Sequence, residues 1–116
     1  MKAAWESMHL AAVQLAAASP IKQRLAAAFS KHLAELDSAE LPRSVRLEFE
    51  ALRRDMTCVK PLRGETPVIA TVRTMSNEEA GRHAQRIVRL LGALGDDEVD
   101  VRPRNGTVVQ LYGAEA

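Results

Sequence analysis

The sequence predicts a mainly α-helical fold, a small single-domain bundle of four to five helices with a C-terminal β-hairpin. Apolar residues recur at three- and four-residue spacing along most of the chain up to Gly95, which is the period of helices with one buried face. Aromatic residues make up only 3% of the 116 residues, so the core must consist mostly of Ala, Leu, Val and Ile, which suits closely packed helices. We expect residues 1–97 to form the bundle and residues 98–116 the hairpin or a flexible tail.

The first helix is expected over about residues 3–18. Its apolar residues recur at helical spacing, and they are Trp5, Met8, Ala12 and Leu15. An early lysine and an Ala-x-Ala before Ser19 are features of a signal peptide. Polar residues interrupt the apolar stretch, however, so we interpret it as an amphipathic helix. No stretch of the chain approaches the length of a membrane span.

Two further helices follow, each with a proline near its start. Ser19 and Pro20 are typical of an N-cap and a first helical position, and the second helix is expected to run to about Leu36. Its buried face is predicted to comprise Ile21, Leu25, Phe29, His32, Leu33 and Leu36. Pro42 opens the third helix, whose core stripe is Val45, Phe49, Leu52 and Met56.

Capping patterns mark the last two helices. Thr66 and Pro67 predict the start of a short helix. Ser76, followed three residues later by Glu79, forms the capping-box pattern of a longer one. The apolar face of the longer helix is predicted to comprise Ala80, Ala84, Ile87, Leu91 and Leu94. Gly95 is expected to end it.

A β-hairpin is predicted after this helix. Val99 and Val101 alternate with charged residues, Asn105-Gly106 is the strongest short hairpin-turn pattern, and residues 108–112 are strand-like. A lone two-stranded hairpin is marginally stable in water, so it must pack on the helices, pair with another chain or stay partly disordered. Pairing across an open strand edge with a second copy would give a homodimer.

Metal binding is the sharpest chemical hypothesis. Glu6 and His9 form an E-x-x-H, the pairing that di-iron helical bundles use twice, and Glu35 follows His32 by the same three residues. A helical hairpin around Ser19 would place both histidines at comparable heights, so that the four side chains converge. Since a second E-x-x-H is missing, a hydrogen-bonded polar layer is the favoured interpretation, and no cofactor is expected.

A basic patch over residues 43–63 is the second candidate site. It holds six Lys and Arg residues against three Asp and Glu. Contact with an anion or an acidic partner would use Arg43, Arg46, Arg53, Arg54 and Arg63. The whole chain has a formal net charge of only +1, without the basic excess usual in nucleic-acid-binding proteins. Mixed surface charge is therefore favoured here, and a solvated face is favoured for the arginines of the last helix.

Nucleophilic catalysis finds little support in the sequence. The single cysteine, Cys58, excludes an intramolecular disulfide and a cysteine zinc cluster and suits a reducing cytoplasm. No histidine adjoins it in sequence, although folding could bring one close, and we interpret it as a structural or incidental thiol. The glycines form no nucleotide-binding fingerprint.

Three short motifs resemble a group of small, uncharacterised proteobacterial helical proteins. They are Trp5-Glu6 with Met8-His9, then Leu62-Arg63-Gly64-Glu65, then Val72-Arg73 with Met75-Ser76. The resemblance covers most of residues 4–94. It implies a bacterial cytoplasmic origin and, because no activity is known for that group, no function.

The leading hypothesis is a non-enzymatic module that binds a protein partner or a second copy of itself. Its binding surface is expected as an exposed apolar patch along the first helix or the hairpin edge. One alternative is a nucleic-acid-associated regulator that uses the basic patch. The other is a small helical metalloprotein. Contact with a membrane is not expected.

Overall fold

The computed structural model describes residues 3–101, with side chains described for residues 3–95. Five α-helices lie in this part of the chain. They are α1 (Ala4–Leu15), α2 (Ile21–Ala28), α3 (Arg43–Met56), α4 (Pro67–Thr74) and α5 (Asn77–Val101). A π-helical turn, Phe29–Leu33, continues α2, and a 3-10 turn, Ser38–Glu40, precedes α3. The prediction of a mainly helical fold is confirmed.

The bundle assembles around α5, which contacts α1, α2 and α3, while α4 packs against α2 and α3. The buried residues of α5 follow three- and four-residue spacing, and they are Ala80, Ala84, Ile87, Leu90 and Leu94. The predicted face is thus confirmed except at Leu91, which is half-buried while Leu90 is buried. α3 buries the predicted stripe of Val45, Phe49, Leu52 and Met56. Both helices carry charged residues opposite these stripes, which fixes the side that faces inward.

The caps predicted for α4 and α5 both form. The Ser76 hydroxyl accepts a hydrogen bond from the Glu79 N–H at 3.0 Å, and the Glu79 carboxylate accepts one from the Ser76 N–H at 2.9 Å. This reciprocal pair occupies two of the N–H groups that the start of a helix leaves without intrahelical partners. At α4 the Thr66 hydroxyl accepts from the Ile69 N–H at 3.2 Å, with Pro67 as the first helical residue.

The start of the chain differs from the prediction in boundaries and in orientation. α1 ends at Leu15 rather than near residue 18, and the N-cap of α2 is Pro20 rather than Ser19. Trp5 and Ala12 were predicted to line the core together with Met8. Trp5 instead is exposed, and the side of α1 that is buried consists of Ser7, Met8, Ala11 and Leu15. Because apolar residues occur on more than one side of α1, periodicity alone does not identify its inner face.

The predicted end of the last helix at Gly95 is wrong. α5 continues through Gly95 to Val101, so Val99 and Val101 lie in a helix and not in a strand. A glycine inside a helix costs about 1 kcal/mol relative to alanine but does not force a stop. Among the described residues, Gly64 is the glycine with positive φ, at 83°. The rest of the predicted hairpin, including Asn105-Gly106, lies outside the described residues, and no strand is found among residues 3–101.

Candidate interaction surface

The four predicted metal ligands do not form one cluster. Glu6 and His9 are exposed on α1, because other residues of that helix occupy its core side. His32 and Glu35 line a depression of about 460 Å³ beside the π-helical turn. Among the side chains that the structure describes, no group of three or more His, Cys, Asp or Glu is placed to hold a metal ion.

Arg53, a member of the predicted basic patch, is bound inside the molecule. Its guanidinium donates to the carbonyl oxygens of Leu33 at 3.2 Å and Ala34 at 3.4 Å, and also to that of Leu36. The same group lies over the Phe49 ring, 4.7 Å from its centroid. These carbonyls belong to the end of the second helical segment, where the last C=O groups lack intrahelical partners. A cation is also favoured there by the helix dipole. Arg53 is therefore a cap for a helix distant in sequence.

Other arginines cap helix ends in the same way. Arg46, also from the patch, donates to the carbonyls of Ser38 at 3.1 Å and Leu41 at 3.0 Å, at the 3-10 turn. Arg24 of α2 donates to the Leu15 carbonyl at the end of α1, at 2.9 Å. The exposed arginines of the predicted patch are Arg43, Arg54 and Arg63, and its lysine, Lys60, is exposed as well. The patch is thus smaller than the sequence indicated, because two of its five arginines are engaged with the main chain.

Folding brings a histidine close to Cys58, which the sequence alone did not predict. Cys58 and His83 line one depression of about 340 Å³. Arg86 lies between Asp55 and His83, 2.9 Å from the Asp55 carboxylate and 3.1 Å from His83 Nδ1. Since a guanidinium has only donors, Nδ1 accepts and the imidazole proton lies on Nε2. The basic nitrogen of His83 is therefore occupied by Arg86 and is not free to deprotonate the thiol.

The environment of His83 predicts a pH dependence of stability. Partial burial, and secondly the charge of Arg86, lower its pKa, against smaller opposing effects of Asp55 and Glu79 and a minor lowering by Arg82. The unfolded chain therefore binds the proton more readily, and stability should fall as the pH drops below about 6.5. We expect the Tm to decrease between about pH 7.5 and about pH 5.5, above the range in which ordinary carboxylates titrate.

The control is His83→Gln, which keeps an acceptor for Arg86 but does not titrate. Its Tm should decrease less than that of the wild type over the same range. Equal decreases in the two proteins would show that His83 is not the group responsible.

Two exposed apolar side chains lie on the side of α1 that faces away from the core, near the exposed Glu6. Trp5, His9 and Val13 recur every four residues along that side, and all three are exposed, Trp5 by 37% and Val13 by 55%. The Trp5 and His9 rings are stacked, with centroids 5.0 Å apart and an angle of 7° between their planes. We call Trp5, His9 and Val13 the α1 outer stripe. Its position follows from the core contacts of Met8, Ala11 and Leu15 on the opposite side of the helix.

This surface is also poor in charge. Residues 3–21 contain a single charged side chain, Glu6, whereas 27% of the whole chain is charged. Loss of charge together with an exposed tryptophan is the compositional mark of the centre of a protein interface. The four-residue spacing of the stripe and the uncharged stretch are both readable in the sequence. What the sequence did not reveal is that this side points outward.

Other exposed apolar side chains lie in different surroundings. Leu47 is 78% exposed on α3, where its sequence neighbours are Arg46 and Glu48. Val88 is 52% exposed on α5, at a groove of about 420 Å³ that Leu15 also lines. Scattered apolar residues such as Leu47 are ordinary on protein surfaces.

Comparisons with models of protein families, with curated proteins and with solved structures gave no match. The resemblance to small proteobacterial proteins therefore stays a prediction. In the part of the chain that the structure describes, no helix combines the length and the apolar composition needed to cross a membrane.

Proposed function

We propose that this protein is a non-enzymatic protein-interaction module that binds through the α1 outer stripe. The observation that carries the proposal is that Trp5, stacked on His9, and Val13 are both exposed on the side of α1 that faces away from the core. Exposed apolar side chains that adjoin one another mark interaction sites, whereas scattered ones are ordinary. Trp5 and Val13 flank His9 on one side of α1, so a binding partner would cover both at once.

The chemistry of the stripe favours a protein partner over a nucleic acid or a lipid surface. Phosphate groups are bound by Lys and Arg, and membrane-surface helices carry both on their polar face. Residues 3–21 contain neither. Trp5 offers a large, stiff contact area of the kind that dominates the binding energy of protein interfaces.

Site-specific photo-crosslinking tests the proposal. The photoreactive residue p-benzoylphenylalanine is placed at Val13 in the stripe or, as a matched control, at Leu47 on α3. Both side chains are exposed apolar residues on helices, so neither change should unfold the chain. With the purified protein and with extract of the source cells, we expect discrete protein adducts from position 13 and few from position 47.

Adducts with the same chain would identify self-association, and adducts with one other chain would identify a separate partner. Equal labelling from both positions, or no adduct from position 13 in either sample, would show that the stripe is not a binding surface.

A further inference from the structure

We propose that the partner of the α1 outer stripe is a second copy of this chain, bound with the two α1 helices antiparallel about a twofold axis at His9. In this register Trp5 of each protomer faces Val13 of the other. The inference rests on the proposed function and goes further by naming the partner and the residue pairing.

The spacing of the stripe is symmetric about its middle residue. Trp5 precedes His9 by four residues and Val13 follows it by four, which is about 6 Å along the helix in each direction. A twofold axis perpendicular to α1 at His9 therefore brings each end of the stripe onto the opposite end of its copy. An interface of this kind is self-complementary, as homodimers require.

The sizes of the facing side chains favour the antiparallel arrangement over a parallel one. Antiparallel pairing sets a large Trp5 against a small Val13 at both ends, so that the two surfaces interdigitate. Parallel pairing would oppose two tryptophans at one end and leave a gap between two valines at the other. Because its residues are four apart, the stripe is inclined to the helix axis. The two helices must therefore cross, and not run side by side, for each Trp5 to face a Val13.

The Trp5 ring is already held in place in the single chain. It stacks on His9 with an interplanar angle of 7°, so less side-chain freedom is lost when the partner binds. The charge of the surface is also compatible with a copy of itself. Its one charged residue, Glu6, is not part of the stripe, and the two residues that meet at the axis are the His9 side chains of the two protomers.

The size of the contact sets the strength that we expect. α1 has 12 residues, about 18 Å at helical rise, and a pair of such helices buries less than the roughly 1,200 Å² at which stable specific interfaces begin. The dimer should therefore dissociate on dilution, as measured by sedimentation velocity over a concentration series.

Charge pairing across the predicted register provides the decisive experiment. Trp5→Glu and Val13→Lys should each weaken the homodimer by about tenfold or more, because each introduces an unpaired charge into an apolar contact. An equimolar mixture of the two variants should recover dimers, since the carboxylate introduced at position 5 of one chain then faces the ammonium group introduced at position 13 of the other. At the second contact of that heterodimer, Val13 and Trp5 remain as in the wild type.

The control mixture is Val13→Glu with Val13→Lys. It offers the same opposite charges, but in the proposed register each of them faces a tryptophan, so this mixture should stay monomeric. Circular dichroism of every variant at low concentration checks that the monomer fold is kept.

Three results would overturn the pairing. One is a wild-type chain that stays monomeric at the highest concentration that remains in solution. Another is a wild-type dimer that the Trp5→Glu and Val13→Lys mixture fails to restore. The third is equal recovery by both mixtures. If the chain is monomeric while Val13 crosslinks to a different protein, the proposed function stands and the second copy is excluded as the partner.

Discussion

Replacing Phe49 by alanine is expected to lower the free energy of unfolding by about 3–5 kcal/mol, the usual cost of deleting a buried phenylalanine ring. Phe49 is fully buried on α3, and the guanidinium of Arg53 lies over its ring. A domain of this size is stabilised by only about 5–15 kcal/mol in total. The change should therefore shift the urea midpoint strongly, as followed by circular dichroism.

Two variants on the same helix show whether burial is the cause. Phe49→Leu keeps most of the apolar volume and should cost about 1–2 kcal/mol, so a measurement remains possible if the alanine variant does not fold. Leu47→Ala, two residues earlier and 78% exposed in the wild type, should change stability by less than about 0.5 kcal/mol. Similar losses from Phe49→Ala and Leu47→Ala would mean that α3 presents a different face to the core.

α3 and α5 were the most predictable elements, and the reason is physical. Each helix has a narrow apolar stripe on one side and Arg and Glu residues on the others. Only one orientation therefore buries the stripe without burying charged side chains. The start of α5 was equally clear, because the capping chemistry of Ser76 and Glu79 is local. Short-range interactions of this kind can be read directly from neighbouring residues.

The orientation of α1 could not be read in the same way. Trp5, Met8, Ala12 and Leu15 form a plausible helical stripe, and so do Met8, Ala11 and Leu15. The choice between the two depends on how the helix fits against α5 and α2. The smaller residue Ala11 is completely buried, which permits close approach of the helices, while the large Trp5 ring is left outside.

The end of α5 escaped prediction for a related reason. Gly95 and the acidic residues after it are individually poor helix formers near a C-terminus, yet they follow a long stripe that packs on three other helices. A helix that is stabilised by tertiary packing can continue past residues that would end it in isolation. The same dependence on distant contacts hides the capping role of Arg53 from sequence inspection.

Replacing Arg53 by alanine is expected to lower the free energy of unfolding by about 2–3 kcal/mol, as judged by urea denaturation. The substitution removes the charge-assisted hydrogen bonds to the carbonyls at the end of the π-helical segment, including that of Leu33. It also removes the contact with the Phe49 ring. Arg53→Lys should recover only part of the loss, because an ammonium group cannot reproduce the planar fork of a guanidinium.

The next residue, Arg54, provides the control for Arg53→Ala, and the comparison also determines which arginines can be used to test the basic patch. Arg54 is exposed, so Arg54→Ala should change stability by less than about 0.5 kcal/mol, and a loss equal to that of Arg53→Ala would contradict the capping role. If the capping role holds, charge reversal at Arg53 disturbs the fold itself, and any accompanying loss of nucleic-acid binding would not identify a binding residue. Only simultaneous reversal of Arg43, Arg54 and Arg63, with stability unchanged and salt-sensitive binding abolished, would favour the nucleic-acid hypothesis over the α1 outer stripe.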